Sequence, residues 1–169
     1  MSEPDDEIAV RIAEPADAEA LAGLIRALMR HENKADRTHV TTETVADWIF
    51  GETRVFQALL AERRADPVGY LAFYSVFSLF KGGPVLLVEN LYVADSARGL
   101  GVGRCLMGAA AAEARRRGMA RIELNVRNDS APAGAFYRSL GVHPAGESVY
   151  RIEDGALAAL ARHAPERAP

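Results

Sequence analysis

The sequence predicts an α/β protein: a mixed sheet with helices on both faces. Segments alternate in the order β-α-α-β-β-β-α-β-α-β. The 169 residues, 49% apolar and 25% charged, suffice for one full hydrophobic core. Gly118 and Gly141 each stop a helical pattern, which punctuates that order.

Ile8 to Ile12 alternates apolar and polar residues, the pattern of a first strand. Pro15 and Asp17 open a helix whose Leu21, Leu24, Ile25, Leu28 and Met29 share one apolar face. Thr41 or Thr42 caps a short second helix, with Val45, Trp48 and Ile49 turned inward. Val55 to Glu62 and Val68 to Val76 are strands, and the polar turn Arg63-Arg64-Ala65-Asp66-Pro67 between them reads as a hairpin. Phe77 to Pro84 reads as a loop. Val85 to Val93 is the most apolar strand and is expected at the centre of the sheet. A helix from Gly101 to Arg117 follows, then a strand from Arg121 to Val126 and a helix from Pro132 to Leu140. A final strand, Val149 to Ile152, precedes a terminal helix from Asp154 to Arg162. No linker or repeat interrupts them, so residues 8–162 are expected to form one domain between frayed tails, 1–7 and 163–169.

A net charge of −3 argues against a general nucleic-acid binder, which carries a basic excess. No apolar run approaches the roughly 18 residues of a membrane span, and Met1 to Glu7 is acidic, unlike a secretory leader. The expectation is a cytoplasmic protein without membrane or nucleic-acid partners. The one cysteine, Cys105, allows no internal disulfide and no thiolate metal cluster. His39, His143 and His163 lack metal-ligand spacing, so no metal is expected. Cys105 is expected to be a packed side chain, and Arg115-Arg116-Arg117 a solvated helix end.

Between the most apolar strand and the clearest helix lies Arg98-Gly99-Leu100-Gly101-Val102-Gly103. Glycines permit close backbone approach, and the free N–H groups of a helix start favour a phosphate. The helix dipole alone contributes only about 0.3–1 kcal/mol, so several backbone bonds must share the grip. Arg104-Cys105 after Gly103 excludes a Walker loop, and the spacing Gly99, Gly101, Gly103 excludes the dinucleotide fingerprint and the kinase glycine loop. An ordinary glycine-rich turn stays open on this spacing alone.

Arg98-x-x-Gly101-x-Gly103 resembles the Arg/Gln-x-x-Gly-x-Gly/Ala motif of the GCN5-related N-acetyltransferases (GNAT). Ala135-Phe136-Tyr137-Arg138-Ser139-Leu140-Gly141-Val142 resembles that family's second signature, Tyr-x-x-x-Gly-apolar at the end of a helix. The similarity extends to the diamine branch, the spermidine/spermine and thialysine acetylators. Val88-Glu89-Asn90-Leu91-Tyr92-Val93 resembles its Leu-Glu-Asp-Leu/Phe-Phe/Tyr-Val strand, Gly69-Tyr70-Leu71-Ala72-Phe73-Tyr74 the strand before it, and Met29-Arg30-His31-Glu32 its acidic segment after the first helix.

The resemblance implies a mostly antiparallel sheet with a splayed central strand pair, acetyl-CoA as co-substrate, and a homodimer using apolar residues of Phe73–Leu79. It implies that Arg98, Gly99, Leu100, Gly101, Val102, Gly103 and Arg104 hold the pyrophosphate. Leu91 would face the thioester oxygen; Val93, with Tyr92 beside it, would face the pantetheine, together with Asn128 or Ser130. Acetyl transfer needs a neutral amine, a donor to the oxyanion and a proton for the leaving thiolate. The resemblance makes Tyr137 the acid that protonates the sulfur. Glu89 is the candidate base, acting through water, because a carboxylate inside an apolar strand is costly unless paired or functional. His31, Glu32, Glu89 and Asn90 are expected to line the acceptor cleft, although a His-Glu pair at a helix end is also an ordinary solvated cap.

Asn90 replaces the branch's second acid, Ser130 stands where the family has an asparagine, and no tryptophan occurs around Glu147-Ser148. The expected reaction is acetyl transfer by direct attack of a small primary amine, a diamine, polyamine or lysine-like compound. A protein N-terminus, an aminoglycoside, or a non-catalytic acyl-CoA-binding regulator are the alternatives.

Overall fold

The computed structural model describes residues 7–127, 129–146 and 149–163. They fall into two compact units, the second beginning at Asp129. Asn128, the pair Glu147-Ser148, and residues 1–6 and 164–169 of the expected tails lie outside the described residues.

In the first unit, β1 (Ile8–Ile12), β2 (Gln57–Arg63), β3 (Asp66–Ser78), β4 (Gly83–Val93) and β5 (Ile122–Leu124) form one sheet in sequence order. The first three pairings are antiparallel and β4–β5 is parallel. On one face, Leu21, Ala22, Leu24 and Leu28 of α1 (Ala18–His31) and Val45 of α2 (Thr42–Val45) pack with Ala58, Leu60, Tyr70, Ala72 and Tyr92. Strand alternation sends Leu59, Leu71 and Phe73 to the opposite face. There α3 (Val102–Arg116) buries Val102, Leu106, Met107, Ala110 and Ala114. Gly69 is the contact point: a Cβ there would lie 3.3 Å from Val102 and 3.5 Å from Leu106.

Local chemistry sets the element ends. Thr41 caps α2, its hydroxyl accepting from the Thr44 N–H at 3.2 Å while the Thr44 hydroxyl accepts from the Thr41 N–H at 2.8 Å. Arg11 of β1 ties Asp17 (2.6 Å) and Glu62 (2.7 Å) together at the entry to α1. The β2–β3 hairpin turns on Arg64 and Ala65, both left-handed with φ of 54° and 63°.

Several expectations are corrected. Trp48 is 52% exposed: after α2 the chain continues as a π-turn, Ala46–Phe50, whose wider turn rotates Trp48 outward while Ile49 stays buried. β3 and β4 reach Ser78 and Gly83, so the loop expected over Phe77 to Pro84 shrinks to residues 79–82. The middle strand is β3; β4 is interior, between β3 and β5. Val149 to Ile152 forms no strand, since it joins no ladder among the described residues. Arg117 is only partly solvated, because it bonds Gln57 and stacks 5.4 Å from the Phe73 ring. Phe73 is buried in the core and so unavailable to a partner.

The second unit carries α4 (Ala131–Ser139) and α5 (Asp154–Ala161).

Candidate active site

The pairing of β3 with β4 slips at one point. Ala72 faces Asn90, but its neighbour Phe73 faces Val88, leaving Glu89 as an extra residue on β4. Such a bulge bends the strand and re-aims the side chain. Glu89 is exposed, which corrects the expectation of a carboxylate enclosed in an apolar strand: the bulge removes it from the alternation.

The β4–β5 ladder runs from Leu86↔Ile122 to Val88↔Leu124 and ends where the bulge begins. Beyond it, Leu91, Tyr92 and Val93 have β3 on one side and no strand on the other among the described residues. The Ala94 N–H donates to the Val68 carbonyl at 2.9 Å, toward β3. Alternation therefore turns the N–H groups of Leu91 and Val93 to the open edge. Consistent with that direction, the Val93 carbonyl accepts from Arg98 Nε at 3.2 Å.

The glycine loop leads from this edge into α3. Gly99 and Gly101 are left-handed, with φ of 78° and 86°, and a Cβ on either would meet nothing within 4 Å. Their requirement is conformational, and the space in front of them is open. Gly101 is the N-cap of α3 and has no side chain to fill that role. The first-turn N–H groups of Val102, Gly103 and Arg104 have no acceptor within the helix. Arg98 pairs with Asp95 at 2.8 Å and lies 5.9 Å from the Tyr92 ring. Leu100 and Arg104 are exposed. Cys105 is also exposed, which corrects the expected packing: it falls on the helix face opposite Leu106 and Ala110.

The end of α1 meets the same strand. Lys34 N–H bonds the Met29 carbonyl (2.8 Å) and Asn33 N–H the Arg30 carbonyl (3.1 Å), with Asn33 left-handed at φ 55°. This is a Schellman stop, and it holds His31 with its ring 6.5 Å from that of Tyr92. Glu32 pairs with Lys34. Asn90, opposite Ala72, is half-buried.

One group here is not legible as functional in the sequence. Tyr70, paired with Tyr92, is 1% exposed, and its hydroxyl is the buried side-chain polar atom without a hydrogen-bond partner among the described residues. Leaving such a group unsatisfied costs about 1–3 kcal/mol. Burial first, then the charges of Glu32 and Glu89, push its phenol above the ordinary range. Burial and the Glu89 charge raise Tyr74 likewise. The only sequence signal is one hydroxyl in the run Gly69-Tyr70-Leu71-Ala72-Phe73.

In the second unit, Ser130 precedes α4 without capping it through its side chain. Tyr137 is half-buried, 5.1 Å from the Phe136 ring, and burial pushes its phenol up so that the proton is retained. Val142 N–H bonds the Tyr137 carbonyl (3.1 Å) and Gly141 N–H the Arg138 carbonyl (3.0 Å), with Gly141 at φ 81°. The Tyr-x-x-x-Gly spacing is thus that of a second Schellman stop, tying the tyrosine's carbonyl to the turn behind it. Among the described residues no group of three or more His, Cys, Asp or Glu is arranged to hold a metal ion.

The sequence profile of the Acetyltransferase (GNAT) family matches residues 19–142. The chain belongs to this family. It is 29% identical over 166 residues to a thialysine N-epsilon-acetyltransferase of Bos taurus, covering 91% of this chain and 97% of the relative. A streptothricin acetyltransferase of Streptomyces lavendulae is 38% identical over 90 residues, 53% of this chain and 44% of the relative. Among solved structures, an integron cassette protein from the mobile metagenome of V. cholerae superposes with a TM-score of 0.78 at 22% identity, covering 92% of this chain and 98% of that one. That last likeness is one of fold. The GNAT match and these relatives make the chain an N-acetyltransferase, which removes the non-catalytic regulator. No helix among the described residues is long and apolar enough to cross a membrane.

Proposed function

We propose that this N-acetyltransferase moves the acetyl group of acetyl-CoA to a primary amine of a small cationic compound, a lysine-like amine or diamine, by direct attack. The observation that carries the reading is the open edge of β4. It offers the N–H groups of Leu91 and Val93 beside a glycine-started helix whose first turn is free to bind an anion. The likeness to a thialysine acetylator over 91% of the chain supports the lysine-like acceptor. The family match runs from residue 19 to 142, through the boundary between the two compact units. That supports reading residues 8–162 as one catalytic domain.

Acetyl-CoA supplies the activated acyl group and a thiolate leaving group. The chain's residues do the rest. Val102, Gly103 and Arg104 donate backbone N–H bonds to the pyrophosphate, with Gly99, Leu100, Gly101 and the Arg98 guanidinium around it. Val93 and Tyr92 hold the pantetheine, as does Ser130 or Asn128. Leu91 N–H donates to the thioester oxygen as it gains charge. Glu89, turned out of the ladder by its bulge, accepts the ammonium proton through water, and Glu32, His31 and Asn90 hold the acceptor. Tyr137 keeps its proton because burial disfavours the phenolate, and gives it to the departing sulfur.

Acetyl-CoA turnover over a panel of thialysine, lysine, diamines and polyamines tests the reading. Tyr137→Phe should lower kcat about 100-fold or more and leave the KM for acetyl-CoA unchanged. Equal kcat for the two proteins would remove Tyr137 from the mechanism. The streptothricin acetylator likeness favours a second acceptor class, antibiotic amines, and including them decides between the two. A homodimer belongs to this reading, formed through the exposed apolar tip Phe77, Leu79 and Phe80 of the β3–β4 hairpin.

A further inference from the structure

The hydroxyl of Tyr70 has no function in the reaction just described, yet its setting is specific. It sits on the α1 face of the sheet, opposite Tyr92 in register, which in turn meets the His31 ring. Ala72 and Asn90 form the next pair on that face, and the Glu89 bulge follows immediately. The side chain is buried, and its oxygen has no partner among the described residues. Phenylalanine would fill the same volume without an unsatisfied hydroxyl. Burial first, then the charges of Glu32, Glu89 and Tyr92, push this phenol upward, and Glu32 is itself paired with Lys34. A buried phenol oxygen without a partner, on the face that leads to the Glu89 bulge and to the end of α1, suits a ligand that is cationic and rich in N–H donors, because such a group satisfies the oxygen's lone pair and pairs with Glu89.

We infer that Tyr70 contacts the acceptor directly, its buried hydroxyl accepting an N–H bond from the substrate's cationic nitrogen held between Glu32 and Glu89. This rests on the assignment of Glu32 and Glu89 to the acceptor cleft. It makes Tyr70 a specificity-determining residue. A site built around a hydroxyl that needs an N–H discriminates against acceptors that cannot supply one, beyond what charge alone achieves.

The test compares wild type, Tyr70→Phe, Glu32→Gln and the double variant on thialysine and a diamine, with thermal melting and acetyl-CoA affinity measured alongside. Tyr70→Phe should melt at or above the wild-type temperature and bind acetyl-CoA as wild type does, while kcat/KM for the amine falls about tenfold, chiefly through KM. The double variant should lose less than the product of the two single losses, because both groups hold one nitrogen. A Tyr70→Phe enzyme within twofold of wild type in kcat/KM, or a loss that tracks lowered melting temperature and acetyl-CoA affinity, overturns this inference and leaves the proposed activity standing. A wild-type enzyme inactive on every amine overturns both.

Discussion

Glu113 accepts from Arg116 at 2.7 Å and from Arg117 Nε at 2.6 Å, and Arg117 passes on to Gln57 and the Phe73 ring. The two arginines, Arg116 foremost, hold its carboxyl down to about 2 from an ordinary 4.5. A carboxyl depressed in the folded state contributes its full stability above the unfolded value. Glu113 therefore stabilises fully above pH 4.5 and loses that contribution as the pH falls toward 2. Asp17, lowered by its bonds from Arg11, acts in the same direction. Denaturant titrations from pH 7 to 2 should show Glu113→Gln less stable than wild type at neutral pH and the two converging in acid. A constant difference across that range would show that the ion pairs contribute nothing. At the same scale, the side chains that the motifs picked out, Glu89 and Tyr137, were legible as residue types, but their surroundings were not. Glu89 reads as buried in a linear pattern and is exposed, because it is itself the unpaired residue that the bulge takes out of the alternation.

At the scale of elements, the start of α3 is where conformation and proposed binding coincide. Valine at Gly101 must adopt a φ of 86°, which costs an L-residue about 1–2 kcal/mol, or else shift the first turn. Gly118, φ 68° and equally open, ends the same helix far from that turn. Both Gly101→Val and Gly118→Val should lower the melting temperature, but only the first should raise the KM for acetyl-CoA, by about tenfold. Equal coenzyme KM in the two variants would detach the loop from donor binding. Element identity read well wherever local chemistry decides it. Ile8 to Ile12 keeps its expected bounds, and α1, α3 and α4 end at or within a residue or two of their expected positions because each has an αL stop, Asn33, Gly118 or Gly141. Features set by neighbours were not readable. Val149 to Ile152 has strand-like residues and no ladder, Trp48 lies within a π-turn that residue spacing does not announce, and Arg117 finds Gln57 across 60 residues of chain.

At the scale of the whole molecule, the exposed hairpin tip is a feature a monomer leaves unexplained. Leu79 and Phe80 are each 90% exposed, and Phe77 is largely so. Adjacent apolar side chains displayed this way mark an interaction site more often than isolated ones do. Light scattering should return twice the 18.2 kDa chain mass for wild type. Leu79→Ser with Phe80→Ser should return one chain mass with an unchanged melting profile at low concentration. A monomeric wild type would assign the tip elsewhere.

The outward placement of Cys105 has a practical side. It is the one thiol in the chain, it is exposed, and it lies one turn beyond Gly101 on the helix that starts at the glycine loop. A maleimide dye would attach at a single defined position without entering the core. Its emission would then report, in real time and without a turnover assay, whether anything has settled against the first turn of α3.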